Sequence, residues 1–289
     1  MEEAAGQKTG YTPDEVYELI ERDAVVLCDV RVPESYHKGH IPGAVNIPEV
    51  FNYLAESTPE GIRHMYEKLH DIFSESGIHD DSLVIFYEDD LAAQFGVSSR
   101  GYLFLKILGH SHAGILRGGF AAWTERGLPV EIESAPAETS SITTDYQLDY
   151  IASKEDVLSA IDDSDVILLD NRDRVEWIGE SSSPYGIDYA PRKGRLPGAR
   201  WIEWYEFMKR PGAFSTFKSS GEIRSLCATQ GIYPGDDIII YCFKGARASN
   251  TYMALQQAGF TRLRIYFGSW NEWSRYPSLP IEEGPPKSG

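Results

Sequence analysis

Cys242 lies in the segment Tyr241-Cys242-Phe243-Lys244-Gly245-Ala246-Arg247-Ala248-Ser249, whose residue types suit a reactive thiol. A free thiol ionises near pH about 8.5, and a helix N-terminus or adjacent cations lower that to roughly 3.5–7.5. Lys244 and Arg247 supply cations that favour a thiolate and would attract an anionic substrate. Gly245 permits the backbone curl that turns successive N–H groups onto one point. All seven histidines (His37, His40, His64, His70, His79, His110, His112) precede residue 113. A Cys–His pair therefore cannot form within the half that holds Cys242, and activation is expected from amides, a helix and cations unless a histidine reaches across. The other two cysteines, Cys28 in an apolar strand and Cys227 on a helix, are expected to be buried structural thiols. The three cysteines lack paired metal-ligand spacing and no dinucleotide fingerprint occurs, so neither a metal nor a bound cofactor is implied.

The elements that must position Cys242 are a strand and a helix. Asp237-Ile238-Ile239-Ile240-Tyr241 reads as a buried strand, and Ala248 to Ala258 as a helix with Tyr252, Leu255 and Ala258 near one face. A strand end followed by a helix start is where α/β proteins gather convergent N–H groups and positive potential.

The same plan occurs twice. Thr12-Pro13-Asp14-Glu15 is a capping box opening a helix to about Arg22, and Ser153-Lys154-Glu155-Asp156 opens another to about Ile161. Val25 to Asp29 matches Val166 to Asp170, and Arg31 matches Arg172. His40-Ile41-Pro42-Gly43-Ala44 matches Arg195-Leu196-Pro197-Gly198-Ala199. Tyr87, ending Leu83 to Tyr87, matches Tyr241, and Gly118 to Trp123 matches Gly268 to Trp273. The offsets are 170 − 29 = 141, 199 − 44 = 155, 241 − 87 = 154 and 273 − 123 = 150, so two duplicated domains are expected, the second with an insertion from Gly179 to Lys193. Strands that are apolar throughout and alternate with helices predict an α/β fold, each domain a mostly parallel sheet with helices on both faces. The boundaries read as 1–133, a Ser/Thr/Ala/Pro-rich linker at 134–144, and 145–289, with residues 1–10 as a loose tail.

A length of 289 residues suits two domains, each with its own core. The formal net charge of −17 argues against nucleic acid or an anionic membrane as partner, and means that an anionic substrate needs a local basic pocket. No apolar run is long enough to span a bilayer. Met1-Glu2-Glu3-Ala4 does not resemble a secretory signal, so a cytoplasmic location is expected.

The Asp-x-Arg and Gly-x-Ile-Pro-Gly-Ala segments, the Gly-Gly-Phe-x-x-Trp and Gly-Ser-Trp-x-x-Trp segments, and the cysteine loop together resemble the rhodanese (sulfurtransferase) family, twice over nearly the whole chain. Cys242 and Arg247 have four residues between them; cysteine phosphatases have five, a wider ring that fits phosphate. The resemblance implies a tandem sulfurtransferase whose second domain is catalytic and whose first is inert. In the first, Glu88-Asp89-Asp90 stands where Cys242-Phe243-Lys244 stands in the second. Those carboxylates would repel anions and are expected to be solvated, a bound cation being the alternative.

By that resemblance, the Cys242 thiolate takes the outer sulfur of thiosulfate, sulfite leaves, and cyanide or a thiol, including a thioredoxin-like protein, accepts the sulfur. The loop amides from Phe243 through Lys244, Gly245, Ala246 and Arg247 to Ala248 would hold the persulfide. Lys244, with Arg247 or Arg172, would meet the donor's charge; Arg247 could instead hold the loop, and Arg172 could instead pair with Glu176. Asp170 is expected to support the loop structurally. Animal members often carry arginine where Glu176 stands. Members specific for 3-mercaptopyruvate usually have small uncharged residues after the cysteine, so two cations here favour the dianion thiosulfate, with mercaptopyruvate as the alternative. Phe243 fits neither pattern. Trp177, Trp270 and Trp273 are expected in the core rather than in a pocket. A persulfide carrier serving a protein partner, a cysteine phosphatase and a redox sensor are the rival readings, the last lacking an exposed resolving cysteine.

Overall fold

The computed structural model describes residues 8–134 and 139–285. It divides into two compact units: Met1–Tyr53, Tyr66–Tyr146 and Arg210–Thr216 form one, and Leu54–Met65, Gln147–Lys209 and Phe217–Gly289 the other. The units thus interleave in sequence. Leu54–Met65 is held in the second by Ser57, whose N–H and Oγ donate to the buried Glu272 carboxylate at 3.0 and 2.7 Å. Arg210–Thr216 is held in the first, where the Ser215 N–H donates to Asp90 at 2.8 Å. Of the expected linker, residues 135–138 lie outside the described set, as do residues 1–7 of the expected tail. Residues 139–144 adopt no helix or strand, yet Ile142 is buried and Thr143 bonds Asp80 through both its N–H and its hydroxyl.

The first unit runs β1 (Gly10–Tyr11), α1 (Pro13–Ile20), β2 (Val26–Asp29), α2 (Pro33–Tyr36), β3 (Val45–Asn46), α3 (Glu49–Asn52), then α4 (Pro59–Ser74), whose first turns group with the second unit, β4 (Val84–Tyr87), α5 (Val97–Ile107), β5 (Ala113–Leu116) and α6 (Gly119–Glu125). Its sheet order is β1-β5-β4-β2-β3, every pairing parallel. Gly10, expected in a loose tail, instead pairs with Ile115 as an edge strand. The second unit runs α7 (Lys154–Ala160), β6 (Val166–Asp170), α8 (Arg174–Trp177), β7 (Arg200–Trp201), β8 (Met208–Lys209), then β9 (Thr216–Phe217), whose Thr216 groups with the first unit, α9 (Ser220–Ala228), β10 (Asp237–Tyr241), α10 (Ala246–Gln257), β11 (Arg262–Ile265) and α11 (Ser269–Trp273). Its sheet order is β11-β10-β6-β7, again parallel throughout. β4, β5 and most of β10 are buried at every position, as strands covered on both faces must be. Among the described residues no helix is long and apolar enough to cross a membrane.

One polar lock repeats in both units. The Asp170 carboxylate accepts the Arg172 backbone N–H at 2.9 Å and its Nη2 at 2.6 Å. The Tyr241 hydroxyl donates to the same carboxylate at 2.6 Å and accepts the Leu196 N–H at 3.2 Å, tying the Leu-Pro-Gly-Ala turn to the strand ends. In the first unit Asp29, Arg31, Tyr87 and Ile41 make the matching bonds. Asp170, Arg172, Asp29 and Tyr241 are fully buried, so each charge is neutralised where it lies, as a desolvated ion pair must be.

Candidate functional site

β10 ends at Tyr241 and α10 begins at Ala246, two residues earlier than the apolar pattern predicts, which leaves a turn of 245 − 241 = 4 residues. So tight a reversal requires a left-handed residue, and Gly245 takes φ = 92° as the helix cap. A Cβ there would also lie 2.6 Å from the Phe267 ring. The Gly245 N–H donates to Cys242 Sγ at 3.1 Å. Cys242 is 1% exposed, so the sulfur sits in a medium where an N–H partner counts for more than it would in water.

The peptides on either side of Cys242 are clamped. The Tyr241 carbonyl accepts the Asn171 N–H at 3.2 Å, and the Cys242 N–H donates to Ser269 Oγ at 3.2 Å. The Cys242 and Phe243 carbonyls accept the N–H groups of Trp270 and Asn271, each at 3.0 Å. The carbonyl oxygens, which would repel a thiolate, are thereby committed elsewhere.

The charged residues divide by role. Arg247 is buried and bonds Glu176 through both terminal nitrogens, while its Nη1 lies 2.9 Å from Asp173. Burial alone would lower the guanidinium pKa, and the Glu176 carboxylate more than reverses this, holding it well above its usual value. One cation facing two carboxylates leaves no surplus positive charge for a substrate. The expected pairing of Arg172 with Glu176 is therefore corrected: Glu176 belongs to Arg247. Arg172 is also corrected as a substrate cation, because it is fully buried and bound to Asp170 and the Gly194 carbonyl, with Trp270 under its guanidinium. Lys244 stays beside the sulfur loop, 7% exposed, its Nζ 5.2 Å from the centre of the Tyr185 ring. Phe243, which the sequence left without an account, packs in the core with Tyr241, Tyr266 and Trp270 and meets Tyr185 of the 179–193 insertion at 5.0 Å. Ala246 and Ala248 are buried in the first turn of α10, and Trp177, Trp270 and Trp273 are buried too.

The matching loop of the first unit spans 96 − 87 = 9 residues and has no thiol. Its carboxylates are not simply solvated as expected. Glu88, in the place of Cys242, is fully buried and accepts the Ser98 N–H and hydroxyl at 3.1 and 2.6 Å and the Val97 N–H at 3.3 Å. Burial pushes its pKa up to about 8. Asp89 meets Arg31 Nη1 at 3.0 Å, and Asp90 accepts from Ala92 and Ser215. Both oxygens of Glu88 and both of Asp90 thus accept bonds from amides or a hydroxyl of the fold, while Asp89, half-exposed, faces the Arg31 guanidinium. Cys28 and Cys227 are buried, and burial raises both thiols, Cys227 to about 12.

Sequence reasoning missed Asp173 and Ser269 as contacts of the loop, and Tyr185 as the partner of Phe243. The exchange of Gly119 for Ser269 between the repeats was the one available signal.

The rhodanese-like domain model matches residues 12–126 and again 153–276. A thiosulfate sulfurtransferase of Azotobacter vinelandii is 25% identical over 98% of this chain and 100% of its own length. The sulfur carrier protein TtuD of Thermus thermophilus is 30% identical over 86% of this chain and 87% of its own. Among solved structures, the anaerobic ergothioneine biosynthesis enzyme from Chlorobium limicola aligns with a TM-score of 0.82 at 23% identity, covering 96% of this chain and 70% of that one, a likeness of fold alone.

Proposed function

The chain belongs to the rhodanese family, with two rhodanese-like domains in tandem, and from that premise we propose that it transfers a sulfane sulfur from thiosulfate to a thiophilic acceptor through a persulfide on Cys242. The observation that carries this reading is the Cys242 Sγ accepting the Gly245 N–H at 3.1 Å at the mouth of α10, with the neighbouring carbonyls tied away. In the first step the Cys242 thiolate forms an S–S bond to the outer sulfur of thiosulfate, whose own S–S bond breaks, and sulfite leaves with the electron pair. In the second, cyanide or a thiolate forms a bond to the outer sulfur and the Cys242 thiolate is regenerated. No external oxidant or reductant is needed. Covalent storage of the sulfur divides one transfer into two, and ping-pong kinetics follow.

Lys244 is the cation offered to the donor's sulfonate, and Arg247 holds the loop. This removes one of the two cations that favoured a dianion, so the thiosulfate reading leans on the relatives' names and on Lys244. A carrier that delivers its sulfur to a protein is the second reading, favoured by the likeness to TtuD.

The test is the intact mass after thiosulfate and again after cyanide, with Cys242→Ser in parallel. A gain of one sulfur that cyanide removes, absent in the variant, is the expected result. A gain that cyanide leaves in place would favour the carrier, and no gain at all would overturn thiosulfate as donor.

A further inference from the structure

Ser269 holds φ = 52°, one of three non-glycine residues with positive φ among those described. A side chain in the left-handed region is strained unless something compensates. The duplicated unit supplies an internal control. The same position there is Gly119, at φ = 61°, where no such strain arises. Around it the backbone bonds match: Phe120 and Ala121 donate to the Glu88 and Asp89 carbonyls as Trp270 and Asn271 donate to those of Cys242 and Phe243. What the second unit gains from the strained residue is a hydroxyl. That hydroxyl is fully buried, donates to the Tyr266 carbonyl at 2.7 Å and accepts the Cys242 N–H at 3.2 Å.

We propose that Ser269 is a positioning residue for the sulfur site: its hydroxyl anchors the N–H end of the Tyr241–Cys242 peptide, whose carbonyl end is already held by Asn171, and so fixes the direction in which the Cys242 side chain leaves the strand. The peptide plane then cannot rotate, and Sγ stays within reach of the Gly245 N–H. Without the hydroxyl the buried Cys242 N–H loses its partner, and the peptide is held at its carbonyl end only. The role rests on Cys242 being the reactive group of the proposed function, and it acts through the Cys242 peptide, whose N–H the Ser269 hydroxyl accepts.

The full chain carrying Ser269→Gly, and separately Ser269→Ala, tests this. Both remove the hydroxyl; glycine also relieves the left-handed strain and alanine keeps it. Three quantities are read: melting temperature, the rate and pH midpoint of iodoacetamide alkylation at the Cys242 peptide, and the rate of persulfide formation from thiosulfate. Loss of one buried hydrogen bond corresponds to about a 3- to 10-fold change in rate and up to about one pH unit in the midpoint. The expected result is that both variants alkylate and take up sulfur about 3- to 10-fold more slowly at neutral pH, with the alkylation midpoint moved upward. Ser269→Gly should nevertheless melt at or above the parent, and Ser269→Ala at or below it. An alkylation profile equal to the parent's in both variants would overturn the proposal, as would reactivity that follows melting temperature, kept in glycine and lost in alanine. Alkylation requires no sulfur donor. If the parent takes no sulfur from thiosulfate while the variants still alkylate slowly, the donor assignment fails and the positioning role stands.

Discussion

Neutralising Glu176 without changing its shape should move stability and thiol reactivity in opposite directions. In Glu176→Gln, Arg247 keeps Asp173 at 2.9 Å but loses a charged partner that is 1% exposed. Removing one partner of a buried pair costs about 3–5 kcal/mol when the other charge is left uncompensated. Here Asp173 remains and the amide oxygen still accepts a bond, so the expected loss is about 2–3 kcal/mol. At about 2–4 °C per kcal/mol for a domain of 150–250 residues, that is a fall of about 4–12 °C in Tm. The sulfur responds the other way. Arg247 and Cys242 interact electrostatically, and with Glu176 and Asp173 both ionised the trio around Arg247 sums to −1. With glutamine it sums to zero, the thiolate is less opposed, and Cys242 should alkylate faster at neutral pH. The assays are thermal unfolding and iodoacetamide alkylation across pH 5–9, repeated in Glu176→Gln/Arg247→Met, where the coupling should recover part of the lost stability. A variant as stable as the parent, or one whose Cys242 reactivity falls together with its stability, would refute the assignment of Arg247 as a loop anchor neutralised by Glu176.

Two further outcomes follow from the loop geometries. Gly245→Ala forces a side chain into φ = 92° and against the Phe267 ring at 2.6 Å; thermal unfolding should show a loss of about 1–2 kcal/mol from the left-handed strain alone, and intact mass should show persulfide formation slowed far more than that loss implies. Glu88 has a folded pKa of about 8, raised from 4.5 by burial. The folded protein therefore holds this proton more tightly than the unfolded chain, and the stability so contributed is full below about pH 4.5 and lost as pH rises through about 8. Glu88→Gln should flatten that fall, which spans roughly 4–5 kcal/mol at most, as read from urea midpoints at pH 5 and pH 9; an unchanged slope would remove Glu88 as its source.

The duplicated fold was legible because its evidence is local and repeated. Capping boxes at Thr12 and Ser153, strands apolar throughout and matched Pro-Gly turns each constrain one element, and all appear as expected. What the sequence hid was partnership. Arg172 and Arg247 look alike as candidate substrate cations, and only packing shows that Asp170 neutralises one and Glu176 with Asp173 the other. Glu88 looked solvated because acidic runs usually are; its burial depends on amides at Val97 and Ser98 that arrive only when α5 forms. Gly10 read as tail because a two-residue edge strand carries no periodicity.

Comparing the repeats separates scaffold from chemistry more sharply than either does alone. The Asp-x-Arg lock, the tyrosine bridge to the Pro-Gly turn and the tryptophan that donates to a proline carbonyl (Trp123 to Pro129, Trp273 to Pro280) occur in both units. They occur equally where a cysteine is present and where it is absent, so they build the sheet edge and cannot by themselves confer reactivity. At the strand-to-helix junction itself the units differ by a four-residue turn for a nine-residue one, Cys242 for Glu88, Phe243 for Asp89, Lys244 for Asp90 and Ser269 for Gly119. In the first unit α5 receives the Glu88 carboxylate at its N-terminal amides; in the second the Gly245 N–H is turned onto sulfur. The same strand-to-helix junction therefore carries an internal carboxylate in one copy and a thiol in the other, and in the second copy the four-residue turn sets the Gly245 cap amide 3.1 Å from the sulfur of Cys242, the first residue after the strand.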